Sequence, residues 1–186
     1  MRTLLDTSRP RRAFGAAVAM TALLTGLILT GAATTAHAAD TITMPDPSLL
    51  ECVNDELGQP TEDPVTVTEM ESLTSLDCGW YDVLDLTGIE HATNLEELRF
   101  SWSLDIGNSD HGIEPLAGLT KLVELDLEMT NLRDISPLAG LRNLQTLLLG
   151  DNILDNQQLV HLSGLTDLRV LSITGNEDTD LSSLAS

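Results

Sequence analysis

The chain has 186 residues, of which 29 are acidic and 9 are lysine or arginine, so its formal net charge is −20 at pH 7. This excess argues against binding to nucleic acid or to an anionic lipid surface, because both need clustered positive charge. The length is typical of a single domain.

Residues 1–38 have the three parts of a secretory signal peptide. A basic start is followed by an uncharged stretch over 13–36, and an A-x-A pattern ends at Ala38. We expect cleavage near Ala38 and a secreted, extracellular protein without stable membrane association. The apolar stretch is long enough to leave an uncleaved anchor as an alternative, and a pair of arginines leaves the twin-arginine route open beside the general secretory route.

Residues 39–47 are predicted to be a flexible lead-in, and residues 48–72 an N-terminal cap. Apolar residues recur at helical spacing over 49–57. The glycine and prolines of 58–64 predict a loop between this cap helix and the first strand.

The exported part contains two cysteines, Cys52 and Cys78. An even number of cysteines in an oxidising compartment favours a disulfide, and a cap helix lying over the first strand would bring the two together. Two buried free thiols are the alternative.

From residue 73 to 186, apolar residues recur in the order L-x-x-L-x-L-x-x-N-x-L, which is typical of the leucine-rich repeat. Each unit is a short strand with a return segment, and units must stack to bury their leucines. The steps between units are 22, 27, 22 and 24 residues, so the longer steps contain insertions. The five units start at Leu73, Leu95, Leu122, Leu144 and Leu168.

One polar position follows each strand and is expected to satisfy backbone groups at a buried turn. Asparagine occupies it in only two units. The residues at this position are Tyr81, Ser103 (or Asn108, if the insertion lies earlier), Thr130, Asn152 and Asn176.

The D-I-S-P-L-A-G-L connection and the 22-residue step resemble those of the bacterial internalin-type leucine-rich repeat family. The stretch VTVTEMESLTSLDC resembles the cap that precedes the first repeat in such proteins. The resemblance covers 49–186 and implies an α/β repeat solenoid, a curved stack of about five units with parallel strands on the concave face. It further implies a secreted or surface-attached protein that binds another protein. It concerns the scaffold, so no binding residue of the family carries over.

Alternation along each strand predicts which side chains face outward. Trp80 and Trp102 occupy corresponding positions in neighbouring units, and Met129 continues the row, so the three are predicted to anchor a partner. The tryptophans could instead fold against the 103–111 insertion or the cap. Beside them we expect an acidic patch that is interrupted by one arginine; its members are Asp77, Glu97, Arg99, Glu124, Asp126 and Glu128.

The sequence gives little support for catalysis, a cofactor or a metal. The exported histidines, His91, His111 and His161, lie outside known catalytic or zinc motifs. The oxygen-bearing side chains of Asp105, Asn108 and Asp110 in the 103–111 insertion leave a calcium loop open, although turn chemistry explains them equally well.

We therefore predict a monomeric, non-enzymatic protein-binding module that uses the concave face and takes a protein partner, with a basic partner suited to the acidic patch. One alternative is a structural subunit of a surface assembly that stacks through an uncapped C-terminal edge. Another is a glycan-binding protein. The negative charge could also serve only for solubility.

Overall fold

The computed structural model describes residues 40–103, 106–108 and 112–177. The predicted signal peptide, part of the 103–111 insertion and the end of the fifth unit lie outside these ranges. The α-helices described are α1 (Pro47–Leu57), α2 (Val67–Ser72) and α3 (Asn156–Leu159). The strands described are β1 (Ser75–Asp77), β2 (Glu97–Arg99), β3 (Glu124–Asp126), β4 (Thr146–Leu148) and β5 (Val170–Ser172).

The five strands form one parallel sheet in chain order. The central leucine of each strand pairs with that of the next, as Leu98 does with Leu125. This is the register predicted from the leucine spacing, and it confirms a stack of leucine-rich repeat units. The insertions do not disturb it, because they lie outside the strands.

The inward side chains of the units form one continuous hydrophobic core. Leu125 and Leu127 of the third unit are fully buried, whereas Leu171 and Ile173 of the fifth are only partly buried. Short 3₁₀ helices in the return segments close the core: Ile89–His91, Ile106–Asn108, Glu114–Leu116, Ser136–Gly140 and Val160–Leu162.

The described part of the lead-in predicted over 39–47 is bonded to the cap and to the first unit. Ile42 donates its backbone N–H to the carbonyl of Val65 at 2.9 Å. The buried carboxylate of Asp46 caps α1 and also accepts the N–H of Leu84 at 2.6 Å. A segment that supplies a helix cap and pairs its backbone is held in place by those bonds.

The loop over 58–64 does not lead directly to the first strand, because α2 intervenes. Thr66 caps this helix with its hydroxyl, and the Glu69 carboxylate accepts the N–H of Thr66 at 2.8 Å. This reciprocal capping box stabilises a helix of six residues that propensity alone would not hold.

The predicted disulfide between Cys52 and Cys78 is present. It joins α1 to the residue that follows β1, with 5.6 Å between the two Cα atoms. The cap is thereby covalently attached to the first unit of the sheet.

The polar position of the second unit is held by Ser103 and not by Asn108. Ser103 is fully buried, and its N–H donates to the carbonyl of Phe100 at 3.2 Å. Tyr81 makes the equivalent bond to Cys78 in the first unit, also at 3.2 Å. The insertion therefore follows Ser103.

A second row of asparagines, which the repeat pattern did not predict, lies just before alternate strands. Asn94 donates to the carbonyl of Glu71 at 2.6 Å, and Asn143 donates to that of Thr120 at 2.7 Å. Each amide ties its own unit to the preceding segment at the corner where the strand begins.

Candidate functional site

The exposed side of the sheet, called the sheet face below, is formed by the first and third residues of each strand. Direct pairing between strands aligns these residues in two rows that cross all five units. One row consists of Ser75, Glu97, Glu124, Thr146 and Val170, and the other of Asp77, Arg99, Asp126, Leu148 and Ser172.

A third row at the C-terminal edge of the sheet has left-handed backbone conformation. Its members are Trp80, Trp102, Met129, Asp151 and Gly175, and their φ angles lie between +51° and +79°. Glycine, asparagine and aspartate tolerate this conformation, whereas other L-residues pay about 1–2 kcal/mol for it. Two units follow this preference, and the first three units have a bulky apolar residue instead.

The backbone brings these edge residues side by side. Trp102 donates its N–H to the carbonyl of Glu128 at 3.1 Å, and Met129 donates to that of Gly150 at 3.0 Å. Met129 is partly buried. The ladder between units thus extends beyond the strands, so that corresponding edge residues of adjacent units are neighbours.

Trp80 and Trp102 stack on each other. Their ring centroids are 4.9 Å apart and their planes differ by 10°. Trp80 is 64% exposed and Trp102 is 44% exposed. The predicted adjacency is therefore present, and the described residues of the cap and insertion do not bury either ring.

Arg99 forms two ion pairs within the acidic patch. Arg99 donates to the carboxylate of Glu124 at 2.6 Å and lies 3.6 Å from that of Glu97. The hydrogen bond to Glu124 is the main cause that raises the pKa of Arg99, and partial burial opposes it. Arg99 thus offsets part of the negative charge of the two glutamates on β2 and β3.

Three other carboxylates of the patch also accept hydrogen bonds. Asp77 accepts the N–H of Gly79 at 3.1 Å, and Asp126 accepts that of Glu128 at 3.0 Å. Glu128 in turn accepts the hydroxyl of Ser172 at 3.1 Å. These aspartates stabilise the turns that leave the strands, so their presence is partly explained by the fold.

The sheet face consequently has two parts of different chemistry. The acidic part consists of the charged residues of the two rows together with Glu128, which follows β3 and whose carboxylate reaches Ser172 of the fifth unit. The row residues are Asp77, Glu97, Arg99, Glu124 and Asp126. The uncharged part comprises Thr146, Leu148, Val170 and Ser172 on β4 and β5. Val170 is 49% exposed although it is apolar. Alignment of the units places these residues outward, but the sequence predicts a site only at the acidic part and the tryptophan row.

In the described ranges, no group of three or more histidine, cysteine, aspartate or glutamate residues is arranged to hold a metal ion. Of the proposed calcium ligands, Asn108 ends a 3₁₀ helix, whereas Asp105 and Asp110 lie outside the described residues, as does His111. His91 lies 3.8 Å from Glu90 in a return segment, and His161 lies in another. The helices of the described ranges are also too short or too polar to cross a membrane.

No protein-family model matches the chain, and no curated protein is similar to it. Among solved structures, an internalin of Listeria monocytogenes (inlF) is 34% identical, with a TM-score of 0.55, over 76% of this chain and 46% of its own. Internalin C2 of the same species is 30% identical, with a TM-score of 0.55, over 79% of this chain and 74% of its own.

The functional domain of InlJ, also from Listeria monocytogenes, shares the fold at 20% identity with a TM-score of 0.52, over 75% of this chain and 39% of its own. The chain thus spans less than half of the inlF structure and about three quarters of internalin C2. Three observations indicate the same family: the 22-residue repeat step, the parallel sheet in chain order and the 30% identity to internalin C2. The chain belongs to the internalin family of leucine-rich repeat proteins.

Proposed function

We propose that this protein is a secreted binding module, without catalytic activity, that holds a protein partner on its sheet face. Trp80, Trp102 and Met129 are the anchors, and the acidic part provides attraction for a basic partner. The proposal for export is based on the signal-like sequence of residues 1–38.

The observation that carries this proposal is the exposed tryptophan stack on a backbone that disfavours it. Large apolar side chains in contact with water are informative because folding normally removes them. Here two of them also occupy left-handed positions, with φ angles of +75° and +73°. Residues with a strained backbone are concentrated at functional sites. Glycine would fit these positions without strain, as it does in the fifth unit, so the fold does not require tryptophan.

Stacking prepares the pair for binding. Each indole restricts the other, so little side-chain entropy remains to be lost when a partner docks. Tryptophan is also among the residues that contribute most to protein interfaces. The flanking carboxylates would raise the association rate with a basic partner more than its affinity, and this effect would decrease with added salt.

The test uses the mature protein as bait for secreted and cell-surface proteins of its natural environment. Trp80→Ala/Trp102→Ala should lose the captured protein, while the melting temperature changes by only a few degrees. Leu84→Ala is the matched control, because Leu84 is an exposed apolar residue of the first unit, at 51%, outside the sheet face. Capture that survives in the double variant would place the binding site elsewhere.

The glycan-binding alternative is tested by a glycan array probed with the wild-type protein, the tryptophan double variant and the Leu84→Ala control. Binding to a sugar that depends on the tryptophans, without a protein partner, would contradict the proposal.

A further inference from the structure

We infer that the partner presents a short segment that lies across the strands, with its cationic end on the acidic part of the sheet face and its apolar end on the uncharged part. This inference rests on the proposed function and specifies the chemistry and direction of the bound segment.

The positions of the acidic and uncharged parts determine the direction of the segment. Each strand has only three residues, which is about 10 Å at 3.3 Å per residue. Five strands at about 4.8 Å spacing extend about 19 Å from β1 to β5. Because the acidic and uncharged parts lie on different strands, a segment that contacts both must cross the strands, and about six extended residues are enough to do so.

The charge of the first three units selects the cationic end. Glu97 has a side chain that is 49% exposed, and its contact with Arg99 is 3.6 Å long, so its carboxylate is available. Arg99 is engaged mainly by Glu124. Five carboxylates against one guanidinium leave this part negative, which suits arginine or lysine side chains beside an aromatic pair that also attracts cations. A second copy of this chain does not fit, because its own charge is −20.

The fourth and fifth units select the apolar end. Leu148 and Val170 are diagonal neighbours on the sheet face, since Thr146 pairs with Val170 and Leu148 with Ser172. No charged side chain stands in the paired rows of these two strands. The charged side chains of the two rows end at Asp126 on β3. The Glu128 carboxylate extends the negative charge to one corner of the uncharged part, where it accepts the Ser172 hydroxyl at 3.1 Å; Leu148 and Val170 lie on the other diagonal. The order of chemistry along the segment is therefore specified.

Two synthetic peptides of identical composition test this order. One has three arginines, a glycine, and then leucine, valine and leucine; the other has the same residues in alternation. Fluorescence anisotropy at low and high salt compares their affinities for the mature protein. A photo-cross-linker at either end of the ordered peptide, followed by mass spectrometry, locates each end on the protein.

We expect the ordered peptide to bind more tightly than the alternating one. Its cationic end should cross-link to the first three units and its apolar end to the last two. Glu97→Gln should weaken binding about two- to fivefold at low salt and less at high salt. Its control is Glu90→Gln, which removes the same charge from a side chain that is 44% exposed in a return segment.

Val170→Thr should weaken binding about fourfold at both salt concentrations, since it replaces one methyl group of the contact. The matched control is Val160→Thr, because Val160 is 53% exposed in a 3₁₀ helix away from the sheet face. Both are exposed, so neither substitution disturbs the core.

The inference is overturned if the two peptides bind with equal affinity, if the cross-links are reversed, or if the ordered peptide does not bind. It is also overturned if two copies of this chain form a dimer through the sheet face. If the tryptophan double variant still loses its protein partner in these cases, only the direction and chemistry of the segment are wrong. If that variant keeps its partner, the proposed function fails as well.

Discussion

Asn152 is expected to contribute more to stability than any other polar side chain of the repeats. It is 5% exposed and lies between the third and fourth units. Its oxygen accepts the N–H groups of Thr130 at 3.1 Å and Leu132 at 2.9 Å. Its nitrogen donates to the carbonyls of Leu127 at 2.8 Å and Leu149 at 3.1 Å. One amide thus satisfies buried backbone groups of two units.

The cost of Asn152→Ala follows from which groups keep a partner. The two carbonyls would retain other donors, the Thr130 hydroxyl at 2.7 Å and the Asn176 amide at 2.8 Å. The N–H groups of Thr130 and Leu132 would be left buried and unsatisfied. Each such group costs about 1–3 kcal/mol, so the free energy of unfolding should fall by about 4 kcal/mol. For a domain of this size the melting temperature should fall by about 10–15 °C.

Urea unfolding monitored by far-ultraviolet circular dichroism would measure this loss. Asn176→Ala is the internal control, because Asn176 occupies the same position one unit later but is only partly buried. Its oxygen accepts one backbone N–H, that of Leu154, whereas that of Asn152 accepts two, so we expect a loss of about 2 kcal/mol. Similar losses in the two variants would refute the reasoning that buried N–H groups determine the cost.

Three further changes should have measurable effects. Cys52→Ala/Cys78→Ala should lower the free energy of unfolding by about 3.5 kcal/mol in chemical denaturation, since the bridge closes a loop with a sequence separation of 26. Arg99→Gln should strengthen binding of a basic peptide and cost less than about 1 kcal/mol of stability. Hydrogen bonds from Ser136 lower the pKa of Asp134. The contribution of this carboxylate to stability is therefore present above about pH 4 and is lost as the pH falls through the lowered pKa. The melting temperature should decline over that range, and Asp134→Ala should reduce the decline.

Each of these has a specific control. Cysteine variants are compared with the reduced wild-type protein, and a bridge without effect would leave both as stable as the oxidised form. Lys121→Gln removes the same charge as Arg99→Gln but from a side chain that bonds to Asn94; equal effects on peptide binding would show that only net charge matters. An unchanged acid profile in Asp134→Ala would assign the decline to other carboxylates.

The site was predictable wherever it follows the repeat register. Corresponding residues of adjacent units must be neighbours in a stack, so Trp80 and Trp102 could be placed side by side from their spacing. The left-handed backbone beneath them could not be read in this way, because tryptophan gives no signal for that conformation. The uncharged part of the face was visible in the alignment, but the exposure of Val170 required the structure.

The attachment of the lead-in to the cap could not be predicted from the sequence. A lead-in without periodicity gives no sequence signal for order, yet Asp46 holds it through bonds to α1 and to Leu84, 38 residues away. The choice between Ser103 and Asn108 also depended on the structure. The spacing between units shows how many residues are inserted but not where the insertion lies. Contacts between segments of unrelated sequence are the common cause of both differences.

The sequence by itself determined the repeating unit, the order and direction of the strands, and the side chains that face inward, since a periodic pattern of leucines can be buried in only one register. Tertiary structure alone decided how the cap is attached, which polar groups satisfy the buried turns, and how far each tryptophan is exposed. These depend on distances between parts of the chain that have no common pattern.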